Sequence, residues 1–455
     1  MKEKLANQIT ELVKNKHVLF EEFYDHVNTY MNESNLFNHP FLMHNEKPNI
    51  SQEEFKSAKY ILVAQFNGLG DAILTSGFMR ELRSNYPDAY IMFFCDKQVQ
   101  TIYERCAYVN EIFVIDFESY LITDMIKEIV AFCKEKIWGK INIDLALLSH
   151  RGENNLAALL FSWLSGSRYI CGYGENNWWY AYTEEENHKQ EGDLSGLIYD
   201  NCILDMHATP PLNLLHDVQA RYYLLKLIGC KVEKTYLECW LSEENVLRIQ
   251  KKYEYIKNKR IGIGIGGTFP AKKYPIDKYI KLLQEINKID DVTFFIIAGK
   301  DEQNDAKKIT NNIANSIDCT HNTIPDTQAL LTTLNLYIGN DTGSLHMATT
   351  FGYPVIEIMQ EGKNRSNYYP VRFSAFHRFR PWTNNAVIIR PLHALNRCNE
   401  LNIQGFCTYE HAHCITQVKV KDVLKVYQVV SEAMNADIDT NEKLKKLTFT
   451  TSGLN

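Results

Sequence analysis

The chain has 455 residues, of which 45% are hydrophobic and 23% are charged, and this composition excludes a disordered or collagen-like protein. At about 150 residues per domain, the length predicts two or three domains with their own cores. The 49 basic and 55 acidic residues give a formal net charge of −6, which disfavours nonspecific binding to a nucleic-acid backbone.

The 11 cysteines are an odd number spread over a long chain, which argues against a disulfide framework and indicates a reducing, cytoplasmic compartment. No run of about 18 uninterrupted apolar residues occurs, so the sequence predicts no membrane span. Residues 1–17 are charged and amphipathic, and they lack the apolar core of a signal peptide.

The N-terminal part of the chain changes character near residue 59. Apolar residues at helical spacing predict a helical extension over residues 1–55. A strand over 59–66, a turn, a helix over 71–86 and a strand over 89–95 then form a β-turn-α-β unit, which starts a parallel sheet. Further predicted elements are a helix over 125–136 and strands over 112–115 and 144–148.

A second series of the same kind begins near residue 259. It contains predicted strands over 260–265, 292–298, 336–338 and 355–358, and helices over 242–257, 275–289 and 304–317. The sequence therefore predicts an α/β protein with two doubly wound, Rossmann-like domains that face a central cleft. The predicted boundaries are a helical N-terminal extension over 1–55, an N-terminal domain over 56–240, a C-terminal domain over 241–435 and a loose tail over 436–455.

Three loops at the carboxyl ends of predicted strands are the places where such sheets bind ligands. The first has the sequence NGLGD, in which Gly68 and Gly70 allow a tight turn and Asp71 stands at a helix N-terminus. Ile73 occupies a position where the dinucleotide fingerprint needs glycine or alanine, so that fingerprint fails. Asp71 is either a helix cap or a functional carboxylate.

The second loop follows the strand over 260–265. Gly266, Gly267 and Thr268 form a turn, and Lys272 lies just before the next helix. A lysine in this position supplies a compact positive charge for a diphosphate. The alternative interpretation is a solvated pair of lysines.

The third loop has the sequence GNDTGSLHMA, where a strand ends and a helix begins. The free N–H groups of such a helix start favour an anion. Thr342 and His346 are four residues apart and share a helix face. Asp341 could instead cap the helix, and His346 could be a core histidine.

A cluster of cysteines lies near the C-terminus. Cys398, Cys407 and Cys414 surround His411 and His413, but spacings of nine and seven residues are not those of a standard zinc module. They remain candidates for a structural iron or zinc.

Taken together in this order, the three loops resemble those of glycosyltransferase family 9, a heptosyltransferase-like family with the two-domain GT-B fold. The resemblance rests on the combination of Gly-Leu-Gly-Asp at 68–71 with Asn-Asp-Thr-Gly-Ser-Leu-His at 340–346, and it spans most of residues 60–415.

The resemblance implies an inverting transfer of a sugar, most often from ADP-heptose, that requires no metal or other cofactor. Asp71 is implied as the catalytic base. The residues implied to bind the donor are Thr268, Lys272, Glu302, Asp341, Thr342, Gly343 and His346, and the loop glycines are Gly68, Gly70, Gly266 and Gly267.

The implied partners are a nucleotide-sugar donor and a glycan, glycolipid or protein acceptor, of which lipopolysaccharide core is the commonest. We expect no nucleic-acid partner. The expected location is the cytoplasm, with peripheral contact to the inner membrane as an option. A homo-oligomer is a further possibility that the sequence leaves open. Three alternatives stay open: a protein-modifying heptosyltransferase, a nucleotide-sugar epimerase, and an inactive binding scaffold.

Overall fold

A computed structural model describes residues 52–66, 68–118, 122–150, 156–172, 179–182, 189–192, 216–362, 374–392 and 411–435. Most of the predicted N-terminal extension, the predicted tail, Cys398 and Cys407 lie outside these residues. The chain divides into two compact units. The first comprises the described residues of Met1–Gly68, Gly77–Leu212 and Asp217–Thr235, and the second those of Leu69–Ser76, Asn213–His216 and Tyr236–Asn455.

The strands are, in chain order, β1 Tyr60–Ala64, β2 Tyr90–Cys95, β3 Glu111–Val114, β4 Leu145–Leu148, β5 Tyr169–Cys171, β6 Trp179–Tyr182, β7 Lys189–Gly192, β8 Lys259–Gly264, β9 Val292–Ile297, β10 Ser316–Asp318, β11 Leu336–Asn340, β12 Val355–Ile358 and β13 Ala386–Ile389. The α-helices are α1 Gln52–Lys56, α2 Leu69–Leu74, α3 Ser76–Asn85, α4 Lys97–Tyr103, α5 Ile122–Lys136, α6 Leu156–Leu164, α7 Asp217–Leu227, α8 Glu243–Lys252, α9 Ile276–Ile286, α10 Gln303–Asn312, α11 Ile324–Leu331, α12 Gly343–Ala348, α13 Ala375–Phe379 and α14 Val420–Asn435. None of these helices combines the length and the apolar character that crossing a membrane requires.

The first unit contains a parallel sheet with strand order β3-β2-β1-β4-β5 and a separate antiparallel pair, β6 and β7. Its strands are almost continuously apolar because helices cover both faces of a parallel sheet. Phe94 of β2 stacks on Phe161 of α6 with ring centroids 3.8 Å apart, which joins the sheet to the helix within one core.

The second unit contains a six-stranded parallel sheet with the order β10-β9-β8-β11-β12-β13. One of its faces packs against α9, α10 and α14 through a continuous apolar core. The strand order reverses between β8 and β11, and ligands bind outside the carboxyl ends of the strands at such a switch point. The loops after these two strands are the second and third loops of the sequence analysis. The prediction of an α/β protein with parallel sheets is therefore confirmed.

Several predicted elements differ from the structure. The helix predicted over 71–86 is two helices, α2 and α3, separated at Thr75, whose hydroxyl donates to the carbonyl oxygen of Asp71 at 2.8 Å. The helix predicted over 304–317 ends at Asn312, because Ile313 adopts an extended backbone that leads into β10. The strand Val355–Ile358 is not the last element of the second series. The strand β13 pairs with it, and the helix α14 packs on the sheet.

Asn340, the last residue of β11, ties the two loops at the switch point together. Its fully buried side-chain amide donates to the carbonyl oxygens of Ile265 and Gly266 at 3.1 and 2.9 Å. Its oxygen accepts from the backbone N–H of Tyr274 at 3.2 Å and from the hydroxyl of Tyr279 at 2.9 Å. One side chain thus holds the start of the β8 loop, its end and the following helix.

We expect Asn340→Ala to lower the free energy of unfolding by about 2–4 kcal/mol, because it leaves several buried polar groups without partners. Urea unfolding measures this loss. Asn312→Ala is the matched control, since its exposed amide makes one bond, to the Lys308 carbonyl, and we expect a change within about 0.5 kcal/mol. Equal effects of the two substitutions would contradict the role given to Asn340.

Candidate active site

The β11 loop places a carboxylate against a lysine of the β8 loop. Thr342 caps α12, since its hydroxyl accepts from the backbone N–H of Leu345 at 3.4 Å. The interpretation of Asp341 as the helix cap is therefore wrong, and its carboxylate is available for side-chain partners. Lys272 donates to Asp341 Oδ2 at 2.8 Å, which brings together two predicted site residues that lie 69 positions apart.

Asp341 is an ionised carboxylate although its residue is only 6% exposed. Burial by itself favours the neutral acid, but Lys272 and His346 outweigh it and hold the pKa of Asp341 well below its usual range. His346 Nε2 lies 3.7 Å from Asp341 Oδ1. The buried His346 therefore lies near the carboxylate oxygen of Asp341 that Lys272 does not bond.

The neighbouring lysine serves a second carboxylate. Lys273 donates to Glu302 Oε1 at 2.7 Å, and the backbone N–H of Gly299 donates to Glu302 Oε2 at 3.0 Å. Glu302 follows β9, so this pair lies one strand away from the Lys272–Asp341 pair along the same edge of the sheet. The two lysines of one loop thus bind two acids from different loops, and the interpretation of a merely solvated lysine pair is wrong.

Helix α2, which carries Asp71, packs closely against α12 within the second unit. A Cβ on Gly70 would lie 2.9 Å from His346 Cδ2, and a Cβ on Gly343 would lie 2.8 Å from the Cβ of Leu69. Real Cβ atoms do not approach so closely, so both helices need glycine at the contact. The glycines of the first and third sequence motifs are therefore parts of one interface.

Asp71 is the third residue of α2 and is half-buried. It is not the helix cap, and its place in the first turn stabilises a negative charge. Because Gly70 touches His346, the segment with Asp71 lies against the helix of the Asp341 loop. The structure thus groups Asp71 with Lys272, Asp341 and His346 in the second unit.

The remaining predicted residues have other surroundings. Gly68 and Thr268 are exposed, and a Cβ on Gly68 would meet nothing within 4 Å. Gly267 is close to both lysines, with its ideal Cβ 3.1 Å from Lys273 Cγ, whereas a Cβ on Gly266 would make only ordinary contacts. Tight packing therefore explains the glycine at 267 but not those at 68 and 266.

Cys414 is the one member of the cysteine cluster among the described residues. It is buried, and its Sγ lies 3.4 Å from Nδ1 of His413. The metal assignment for Cys398, Cys407 and Cys414 stays a prediction, because the other two cysteines lie outside the described part of the chain.

Sequence reasoning missed two buried residues of this region. Asn340 belongs to the third motif but receives no role of its own from the sequence, although an amide at the end of a central strand is a recognisable polar interruption. Glu357, in the apolar strand VIEI, is a second interruption of the same kind. Both signals are visible in the sequence, but only the structure shows what surrounds them.

Residues 204–401 match the family model described as Glycosyltransferase family 9 (heptosyltransferase). No curated protein matches the chain. The predicted resemblance to this family is confirmed by the matching segment.

Among solved structures, a glycosyl transferase family 9 protein from Veillonella parvula DSM 2008 is similar at 16% identity and a TM-score of 0.62, covering 85% of this chain and 99% of that one. The E. coli ADP-heptose lps heptosyltransferase II is similar at 15% identity and a TM-score of 0.57, covering 82% and 98%. E. coli heptosyltransferase WaaC with ADP gives 14% identity, a TM-score of 0.55, and coverage of 82% and 99%. At these identities the likeness shows a shared GT-B fold.

The helix contact leads to a paired test of two glycines. We expect Gly343→Ala to lower stability by about 1–3 kcal/mol, because the added methyl group collides with Leu69 and with the backbone nitrogen of Gly70 at 3.2 Å. Gly68→Ala, in the loop just before α2, has open space and should change stability by less than about 0.5 kcal/mol. Thermal unfolding of both variants measures the difference. A tolerated Gly343→Ala would mean that the helices do not pack as described.

Proposed function

From the match of residues 204–401 to glycosyltransferase family 9, we propose that this chain is an inverting glycosyltransferase that moves a sugar from a nucleotide-diphosphate donor to an acceptor hydroxyl. The observation that supports it most is the grouping of Asp71 with the Lys272–Asp341 pair at the switch point of the second sheet. Two of the similar structures are an ADP-heptose heptosyltransferase and a heptosyltransferase with bound ADP. We therefore propose ADP-heptose as the donor, and lipopolysaccharide core or another bacterial glycan as the acceptor.

In this proposal Lys272 binds the donor diphosphate. A lysine ammonium has three donors, so it can keep its bond to Asp341 while donating to a phosphate oxygen. Asp341 holds the ammonium in place, since both groups are largely buried and their atoms lie 2.8 Å apart. As the sugar leaves, the nucleoside diphosphate gains negative charge, and the positioned lysine stabilises it. The transfer needs no metal in this scheme.

Glu302 is proposed to accept a hydroxyl of the donor ribose. Its two oxygens already bind Lys273 and the Gly299 N–H, which fix the orientation of the carboxylate. Each carboxylate oxygen has two lone pairs and can accept one further hydrogen bond. The Glu302–Lys273 pair would thus orient the nucleoside while Lys272 holds its phosphates.

Asp71 is proposed as the general base. Its carboxylate takes the proton from the acceptor hydroxyl while the hydroxyl oxygen attacks the anomeric carbon. The bond from that carbon to the diphosphate oxygen breaks, and its electron pair leaves with the nucleoside diphosphate. Attack on the face opposite the leaving group inverts the anomeric centre.

The donor assignment is tested by thermal shift with ADP, UDP and GDP, because a ligand that binds the folded state raises its stability. We expect a shift with ADP.

We expect Lys272→Ala to weaken ADP binding about 10- to 100-fold, because the variant loses one charge-assisted hydrogen bond. Lys281→Ala, an exposed lysine of α9, is the control and should bind ADP normally. Unchanged ADP affinity in Lys272→Ala would remove the phosphate role from this residue.

The base assignment is tested by Asp71→Asn, which keeps the shape of the side chain but cannot take the proton. We expect transfer to fall about 10²- to 10⁴-fold while ADP affinity stays within about threefold. The assay measures ADP release from ADP-heptose with a heptose-deficient lipopolysaccharide core. A reaction without acceptor is the control, and conversion of the donor there would favour an epimerase. Transfer at the normal rate by Asp71→Asn would disprove the base assignment.

A further inference from the structure

Glu357 is a buried carboxyl group to which the described residues offer no hydrogen bond. It lies in β12 with 0% exposure, and neither of its carboxyl oxygens has a partner among the described residues. An unpaired carboxylate is very costly in such a place, so the group needs either a partner or a proton.

The sheet positions next to Glu357 offer no polar side chain as a partner: glycines lie on one side and an isoleucine on the other. Gly264, Gly339 and Glu357 lie side by side across β8, β11 and β12. The ring of Tyr337 covers the two glycines, since a Cβ on Gly264 would lie 1.8 Å from its hydroxyl oxygen. On its other side Glu357 is paired in register with the apolar Ile388.

Lys272 and Arg390 are cations that act on Glu357, and each already bonds another carboxylate. Lys272 is bonded to Asp341 at 2.8 Å. Arg390 donates to Glu361 Oε1 at 3.0 Å and to the Glu361 and Gly362 carbonyl oxygens at the same distance. Within the described part of the chain, Asp341, Glu361 and Glu357 thus share these two cations, and Glu357 is the one whose oxygens have no hydrogen-bond partner. Like charges in one buried site raise each other's pKa, which favours a proton on one of the three groups.

The electrostatic balance agrees with this geometry. Burial, and then the neighbouring Asp341, raise the pKa of Glu357 well above its usual range, while Lys272 and Arg390 act in the opposite direction and Glu361 adds to the rise. Among the described residues, further titratable groups on or next to the elements that contact β12 include Tyr337 of β11, Tyr353 before β12 and His346 of α12. Burial raises the pKa of Tyr337 to about 12, and it also raises that of Tyr353.

We propose that Glu357 is held as a neutral carboxylic acid beside the Lys272–Asp341 pair, and that its proton lets this pair accept a diphosphate. The inference rests on the proposed donor site. A diphosphate that shares Lys272 with Asp341 brings further negative charge to the cluster. With Glu357 neutral, Asp341 is the single anion that competes for the lysine; with Glu357 ionised, two carboxylates would repel the phosphates. Glu357 is thus a positioning residue that sets the charge of the site without touching the ligand.

The protonation state is read directly by infrared difference spectroscopy. We expect the protein at pH 7 to show the carbonyl band of a protonated carboxyl group, and the isosteric Glu357→Gln variant to lack it. If the variant does not fold, incorporation of carboxyl-labelled glutamate shifts the band in the unaltered protein and assigns it to a glutamate. An ionised Glu357 at pH 7 would overturn the inference whatever its effect on binding.

The effect on binding is read from the pH dependence of ADP affinity. As pH rises through the range in which the infrared band disappears, Glu357 loses its proton. The unaltered protein must then take up a proton to bind ADP, so its affinity for ADP should fall by up to about tenfold per pH unit. Glu357→Gln cannot titrate and should not show this fall. Identical pH profiles would overturn the inference, because a purely structural role of Glu357 predicts them. If ADP does not bind the unaltered protein, the proposed donor site fails, and the loss or persistence of the infrared band in Glu357→Gln still decides the state of Glu357.

Discussion

Helix α2 can approach α12 because each helix has a glycine opposite a side chain of the other. Gly70 leaves room for the ring of His346, and Gly343 leaves room for Leu69 and the adjoining backbone. This contact binds residues 69–76 into the second unit although they lie in the chain between strands of the first. It also sets Asp71 beside the loop that contains Asp341. The candidate site depends on this contact, since it joins the proposed base to the proposed donor loop.

The carboxyl edge of the second sheet is organised by pairs of opposite charge. Lys272 holds Asp341, Lys273 holds Glu302 and Arg390 holds Glu361, each within 3.0 Å. Such buried or half-buried pairs add little net stability, because the loss of hydration offsets most of the attraction. The pairs instead fix the position of each cation at a strand end, where a ligand can share it. Glu357 is the exception, because its carboxyl oxygens have no hydrogen-bond partner in the described part of the chain.

Much of the fold could be predicted from apolar runs and turn residues. Val355–Ile358 was predicted with the bounds that the structure has, and most other predicted strands differ by one or two residues. The sequence predicts one continuous helix across Thr75 and another across Ile313, and both predictions are wrong. At each position the chain leaves one helix to enter a different element, which the local apolar spacing does not reveal. Of the site, the sequence could indicate Asp71, Lys272, Asp341 and His346 as separate candidates. It could not indicate that Lys272 and Asp341 bind each other.

The sequence by itself determined the order of strands, turns and helices, because those follow from spacing along the chain, and it carried two motifs whose combination resembles one family. The tertiary structure alone decided which distant groups meet. The Gly70–His346 contact, the four hydrogen bonds of Asn340 and the isolation of Glu357 each join residues from separate strands or helices. The physical reason is burial: the state of a charged or polar side chain depends on which partners the fold brings to it, and these partners are not its neighbours in sequence.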